Sequence, residues 1–388
     1  MDDNKGVHDN ANIEKLERLF PGIRMALFLS ITFLVVYGMI AARNFLFPLA
    51  FGALFSYLLY PVVNFLEKRR FPRILSILIA IFLALVIIAG LFLLLYRQMA
   101  NMFENFEAMR EQVISNIELL QRNLAAFLGV KNNGVEVFLK DQFDLFFGSA
   151  NGGIRKAFTA TTGTLFRIII LPIYVFLLLY YRTKFAYFIL KITPDHAKQT
   201  TINILREISS VSGKYMGGVS VVVLILCILN SSGLAIIGVE YAILLGIISA
   251  FFNFIPYFGT LMGGAIPLSF VLMTTDQPLY YGFRVFILFL LVQFTENYIL
   301  TPNIVGGNVK INPLIIIVGL VVGGVIWGIP GLLVIVPFLA ILKIIFSHIP
   351  PLQPYAYLLG LKGTQRYALT FSKVKAALRI RKPNESTV

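Results

Sequence analysis

Apolar runs of about the length of a bilayer crossing alternate with short charged stretches along most of this chain. A hydrocarbon core about 30 Å thick takes roughly 20 residues of helix, and residues 23–42, 45–66, 74–96, 162–181, 215–238 and 281–300 meet that length. The first run follows a stretch rich in acids and is not followed by a small-residue cleavage site, so it reads as a span and not as a signal peptide. Two further apolar tracts, 241–274 and 311–346, are too long for one straight crossing, since as helices they would run to roughly 50 Å. Each has helix-breaking residues near its middle: Asn253, Pro256 and Gly259 in the first, Gly328, Pro330 and Gly331 in the second. Each is therefore either one long broken helix or a re-entrant hairpin that enters and leaves by the same face. In the hairpin reading, span 215–238 with its tract and span 281–300 with its tract are one unit in opposite orientations, a common transporter construction. Pro256 and Pro267 then answer to Pro330 and Pro337, with unequal spacing.

The segment 97–156 breaks this pattern. Basic and acidic side chains are interspersed in it, while Met102, Phe106, Met109, Val113, Ile117 and Leu120 recur at intervals of three and four. That is the signature of an amphipathic helix outside the bilayer, followed by a Gly- and Asn-rich turn at Gly148 to Gly153. The pattern predicts an all-α polytopic integral membrane protein with about six to eight transmembrane helices and two broken or re-entrant elements in its C-terminal half. Its regions are an N-terminal segment 1–22, transmembrane helices over 23–96, an external segment 97–161, a span 162–181 and a basic segment 182–214. A core 215–346 and a basic tail 347–388 complete it.

Composition agrees: 58% of the 388 residues are hydrophobic and 13% charged, against roughly 25% charged in soluble domains. The formal net charge of +14 would suggest nucleic acid in a soluble protein, but here its placement matters more than its size. Segments 67–73, 182–214 and 347–388 carry thirteen of those net charges. Clusters such as Lys68, Arg69, Arg70 and Arg73 beside a span mark the cytoplasmic side, and the tail cations Lys362, Arg366, Lys373, Lys375, Arg379, Arg381 and Lys382 do the same. Both termini are therefore expected in the cytoplasm, with membrane lipid and not nucleic acid as the partner of the charge. A single cysteine, Cys227, excludes an internal disulfide framework, and His8, His196 and His348 lie in separate polar segments, so no metal is expected. No GxxxxGK[ST] phosphate loop is present and no nucleophile, base and orienting group cluster, so neither ATP-driven transport by this chain alone nor an enzyme is expected, and no cofactor.

Two features carry candidate chemistry. Residues 213–331 hold 17 of the 30 glycines, with small-xxx-small spacing from Gly259 to Gly263, Gly319 to Gly323 and Gly324 to Gly328 that allows close helix packing. Beside Pro256 and Pro330, glycine can alternatively open backbone groups toward a solute, which is tolerated where protein or water surrounds them. Glu296 is the second feature, because a carboxylate within a span costs at least about 2.5 kcal/mol. Gln293, Glu296 and Asn297 lie on one helical face, so Glu296 is either a proton or cation carrier or an acceptor held by neighbouring amides. Asn230, Ser231 and Ser232 read as bridges between helices, Arg284 and Asp276 as headgroup-level residues, and Trp327 as an interface anchor or a lining residue.

These residues resemble the autoinducer-2 exporter family of bacterial membrane proteins. The likeness is carried by Asn253, Ile255, Pro256, Tyr257 and Gly259, by Glu296, Asn297, Pro302, Asn312, Pro313 and Leu314, and by Gly323, Gly324, Gly328, Gly331 and Pro337, ending at Leu342 and Lys343. A looser match runs from Pro48 through Tyr57 and Pro61 to Arg73. The resemblance implies a multi-pass inner-membrane transporter that exports a small quorum-sensing furanone, or in other members exchanges sodium or lithium for protons. It also implies a homo-oligomer, a pentamer, with elevator-like movement of the broken helices. The expected substrate or ion pathway comprises Asn253, Pro256, Gly259, Gln293, Glu296, Asn297 and Pro330. Gly263, Gly264, Gly323, Gly324, Gly328, Gly331 and Pro337, together with Gly259, supply pivots or packing. A proton or sodium ion is the expected coupling partner and a small polar organic solute the expected cargo. The remaining reading is a non-transporting scaffold whose segment 97–156 binds a partner.

Overall fold

A computed structural model describes residues 23, 25–27, 29–128, 162–306 and 311–361. The Gly148 to Gly153 turn, the segment 1–22 and the tail cations from Lys362 onward lie outside the described residues. Within them the chain is helical, with one isolated β-bridge between Ile311 and Gly360. In chain order the helices are α1 (Met25–Ala41), α2 (Arg43–Lys68), α3 (Arg73–Glu104), α4 (Phe106–Leu128), α5 (Thr162–Ile192) and α6 (Lys198–Ile237). Then follow α7 (Ala242–Phe252), α8 (Phe258–Thr274) and α9 (Pro278–Thr295), a π-helical segment (Glu296–Val305), α10 (Pro313–Trp327), α11 (Ile329–His348) and α12 (Gln353–Leu359). Among the described residues five helices are long and apolar enough to cross a membrane, or six if the bent α5 counts as one span. Large apolar side chains such as Phe82, Leu224, Phe283 and Val325 stand exposed along them, as lipid-facing residues do.

Several helices outrun the apolar runs that announce them. Span 162–181 is the first part of α5, which continues to Ile192 after a bend of 58° between Ile170–Tyr180 and Arg182–Ile192. Span 215–238 is the second half of α6, whose 40 residues make about 60 Å of helix. Backbone hydrogen bonding is satisfied by continuing a helix into water, so helix ends and apolar ends need not coincide.

Each broken tract folds back on itself as an antiparallel pair of helices. In the first, a Cβ on Gly259 would overlap the Phe252 carbonyl, and Gly263 faces the Ser249 carbonyl across α7 and α8. In the second, a Cβ on Gly323 would lie 2.7 Å from the Gly331 carbonyl oxygen and one on Gly319 would meet Leu339 and Ile335 across α10 and α11. Glycine thus serves here mainly as the packing device, letting two backbones approach where a side chain would hold them apart.

The two hairpins sit at opposite ends of α6, which packs against both. Near its C-terminal end Leu234 joins Val239, Ala242, Leu245 and Val271 at the open end of the first hairpin. Toward its N-terminal end Val211 packs with Ile311, Leu339 and Ala340 of the second, and His348 Nε2 lies 3.5 Å from Glu207 Oε2. The helices that run the other way agree: α3 begins at Arg73, bonded to α5, and ends where Asn105 Nδ2 donates to the Tyr241 hydroxyl at the open end of the first hairpin. The hairpins therefore point in opposite directions.

Helix α4 is the amphipathic segment read from the sequence. Met109, Val113 and Ile117 of its apolar stripe are buried, with Met273 packed against Val113 and Ile117. Asn116 Nδ2 donates to the carbonyls of Met273 and Thr275 at 2.9 and 2.8 Å, satisfying groups that the end of α8 leaves free.

Candidate functional site

The tip of the first hairpin, the middle of α6 and the π-helical segment meet in one cluster. Val222, Val223, Leu226, Ala250 and Val305 are buried there, with Phe254, Val292, Leu300 and Ile304 packed on them. At Gly218 of α6 an added Cβ would come within 3.0 Å of the Val305 backbone, so α6 and the π segment are in direct contact.

The tip is built from strained backbone. Asn253 closes α7, with its N–H donating to the Ala250 carbonyl at 3.1 Å. The Phe258 N–H donates to the Pro256 carbonyl at 2.7 Å across Tyr257, which has φ +64° and ψ −42°. An i to i+2 bond at positive φ is the strained form of the γ-turn, rare for any residue and costly for an aromatic one. Such strain persists only where the surroundings over-determine it and concentrates at functional segments. The Pro256 ring leads into the turn, and Gly259 immediately after it fits under the Phe252–Asn253 backbone.

Glu296, 8% exposed, lies at the start of the π-helical segment. Gln293 Nε2 donates to its Oε2 at 2.8 Å. Beyond it the chain winds with i to i+5 bonds as far as Val305, and Pro302 lies inside that stretch. Proline has no N–H to offer and its ring displaces the carbonyl four residues earlier, which favours the wider winding often found at functional sites. Asn297 is exposed, since the next residue on a helix is turned about 100° away, so the polar pair is buried Glu296 with half-buried Gln293.

The structure distributes the other candidates differently. Pro330 lies in the first turn of α11, in the second hairpin, which packs on α2, α6 and α12 and is separated from the first hairpin by α6. Its tip instead reaches α1, where Trp327 Nε1 donates to the Met39 carbonyl at 3.1 Å, a group in the last turn of its helix and so free to accept. Gly323 and Gly331 are locked against each other, Gly324 meets Leu332, Gly264 touches Phe289, and Pro337 is buried within α11. Gly328, with φ +68° and open space where its Cβ would be, joins α10 to α11.

A polar relay was legible only in part. Asn230 Nδ2 donates to Ser249 Oγ at 3.3 Å, and the Ser249 hydroxyl donates to the Gly263 carbonyl, so α6, α7 and α8 are tied through their buried faces. Ser231 donates to the Ile243 carbonyl at 3.4 Å, while Ser232 turns back to its own helix. The bridging role of Asn230 follows from an amide within a span. Ser249 carries no such signal, because a lone serine in an apolar run is unremarkable.

The fold is that of a polytopic α-helical membrane protein, in which a strained hairpin tip and a π-helical segment beginning at a buried carboxylate adjoin one apolar cluster on a long helix. Residues 29–350 match the family described as AI-2E family transporter. The chain belongs to that family, and its general activity is transport. It is 29% identical over 319 residues to "Putative transport protein YrrI" of Bacillus subtilis, covering 79% of this chain and 87% of the relative. YueF of the same organism, which carries the same designation, is 28% identical over 316 residues, 78% of this chain and 84% of the relative. The AI-2 transport protein TqsA of Escherichia coli is 23% identical over 350 residues, 87% of this chain and 96% of the relative.

Proposed function

We propose that the chain is a secondary transporter that exports a small polar organic solute by alternating access, with the first hairpin tip and the Gln293–Glu296 pair as its pathway. The observation that carries this reading is the pairing of a strained Pro256–Phe258 turn with a π-helical segment that begins at a buried carboxylate, both adjoining one apolar cluster on α6. Backbone polar groups freed at a broken element can hold a solute in place of water. The solute class of the TqsA name, autoinducer-2, is the first cargo to test. The basic segments support a multi-pass protein of the inner membrane with both termini in the cytoplasm. The exposed apolar faces are compatible with the homo-oligomer that the resemblance implies.

Glu296 favours a second reading, exchange of sodium or lithium for protons, because a carboxylate buried among apolar helices with one amide partner is suited to take up and release a cation. Purified protein in proteoliposomes separates the two. Solute export predicts flux of autoinducer-2 driven by a proton gradient and lost in Glu296→Gln. Antiport predicts a sodium-dependent internal pH change with no organic solute present, also lost in Glu296→Gln. Undiminished, proton-independent solute flux in that variant removes Glu296 from coupling.

A further inference from the structure

The bend in α5 lies at the junction with α2 and α3. Arg73, the first residue of α3, reaches α5 and donates through Nη2 to the Leu179 carbonyl at 2.9 Å and through Nη1 to the Thr183 hydroxyl at 3.1 Å. A guanidinium that binds a carbonyl of the ladder at the point of the bend is suited to hold the helix in that direction. Three residues further along α5 from Leu179, Arg182 pairs with Glu67 of α2 at 2.5 Å and lies 5.0 Å over the Tyr60 ring. Both contacts fix the direction of the segment Arg182–Ile192, which leaves the line of the span by 58°.

The outer face of that segment is formed by Lys184, Phe185, Tyr187, Phe188, Lys191 and Ile192, all exposed. Ala186, Ile189 and Arg182 face inward. Beside it, the α2–α3 turn presents Lys68, Arg69 and Arg70, also exposed, with Arg70 held at φ +68°. Within residues 67–73 and 182–191 seven cations accompany a single carboxylate, Glu67, and Arg182 already occupies it. A helix turned out of the span direction, with lysines and aromatics alternating on its exposed face, has the chemistry of the membrane interface, where rings sit at headgroup depth and lysines reach for phosphate. The cation excess fixes the sign of what it meets.

We infer that the bent end of α5 and the α2–α3 turn form a binding site for the headgroup of an anionic phospholipid, with Lys184, Lys191, Lys68 and Arg69 on the phosphate and Phe185 and Phe188 among the upper acyl carbons. Glu67, Arg73 and Arg182 position the site and do not bind the lipid. This assignment is independent of what the protein transports.

The test uses the full-length protein in phosphatidylcholine nanodiscs with a small fraction of spin-labelled phosphatidylglycerol, reading the motionally restricted fraction against spin-labelled phosphatidylcholine. Wild type restricts the anionic label preferentially. At roughly fivefold per cation, K184Q/K191Q lowers that preference by between fivefold and about 25-fold, K68Q/R69Q does likewise, and R206Q/K214Q, which removes two exposed cations on α6, leaves it unchanged. Two separate pairs keep the test readable if one variant fails to fold. An unchanged preference in a folded K184Q/K191Q or K68Q/R69Q protein overturns the site. Displacement of the label by millimolar inorganic phosphate as effectively as by unlabelled phosphatidylglycerol overturns the lipid assignment in favour of a soluble phosphate.

Discussion

Glu296 shows how a single residue separates stability from function. Burying a carboxylate costs free energy that its one hydrogen bond from Gln293 offsets only partly. Glu296→Gln removes the charge at nearly constant volume, so its thermal unfolding midpoint in detergent is expected to equal or exceed that of the wild type while proton-coupled flux is lost. A midpoint that falls would make the carboxylate a structural acceptor. The glycines give the opposite sign. Gly331→Ala places a methyl into the Gly323 carbonyl, and overpacking of this kind costs about 1–3 kcal/mol, measurable as a lowered midpoint; Gly328→Ala meets no neighbour and is strained only by its positive φ. Glu296 was legible because charge is rare in a span. The pairing of Gly323 with Gly331 was not, since spacing along one helix does not reveal which glycine of the next helix it will meet. Asn297 looked equivalent to Gln293 on a helical projection, and only the position of the neighbouring helices shows that the buried face stops at Glu296.

Helices inherit their ends and bends from polar contacts that apolar periodicity does not encode. The stripe Met109, Val113 and Ile117 predicted the buried face of α4, yet its docking onto α8 depends on Asn116, a polar residue within that face and a signal available in the sequence. Asn116→Ala removes two hydrogen bonds to the end of α8, worth about 1–3 kcal/mol together. Hydrogen exchange over residues 109–117 is expected to accelerate in this variant with little change in α11. Similarly, the basic turn after α2 was visible as a topology marker, whereas the bend of α5 requires knowing that Arg73 reaches Leu179, 106 residues away. Arg73→Ala removes both bonds to α5 at the bend, so the bend is expected to open. Paired spin labels at Ile173 and Phe188 would then report a longer distance than in the wild type.

At the scale of the molecule, the sequence specified two broken tracts and left open whether each crosses the membrane or turns back. The structure answers through packing: Gly259 against Phe252 and Gly331 against Gly323 are antiparallel contacts that a straight broken helix cannot make. Helix α6 then carries one hairpin near each end, and the two point in opposite directions. The unequal proline spacing of the two tracts did not reveal this, because opposed hairpins can share a backbone course without sharing side chains. In the proposed mechanism the first hairpin moves against α6 and the π segment, while α4 holds its open end and Trp327 holds the other tip to α1. The opposed hairpins are the frame on which that mechanism depends. They are tested by single cysteines at Glu240, Asp276, Asn303 and Gln353 in a Cys227→Ser background, labelled with a membrane-impermeant maleimide in right-side-out and inverted vesicles. The account predicts that Glu240→Cys and Asp276→Cys label from one face and that Asn303→Cys and Gln353→Cys both label from the other. Labelling of Glu240→Cys and Asp276→Cys from opposite faces would contradict it.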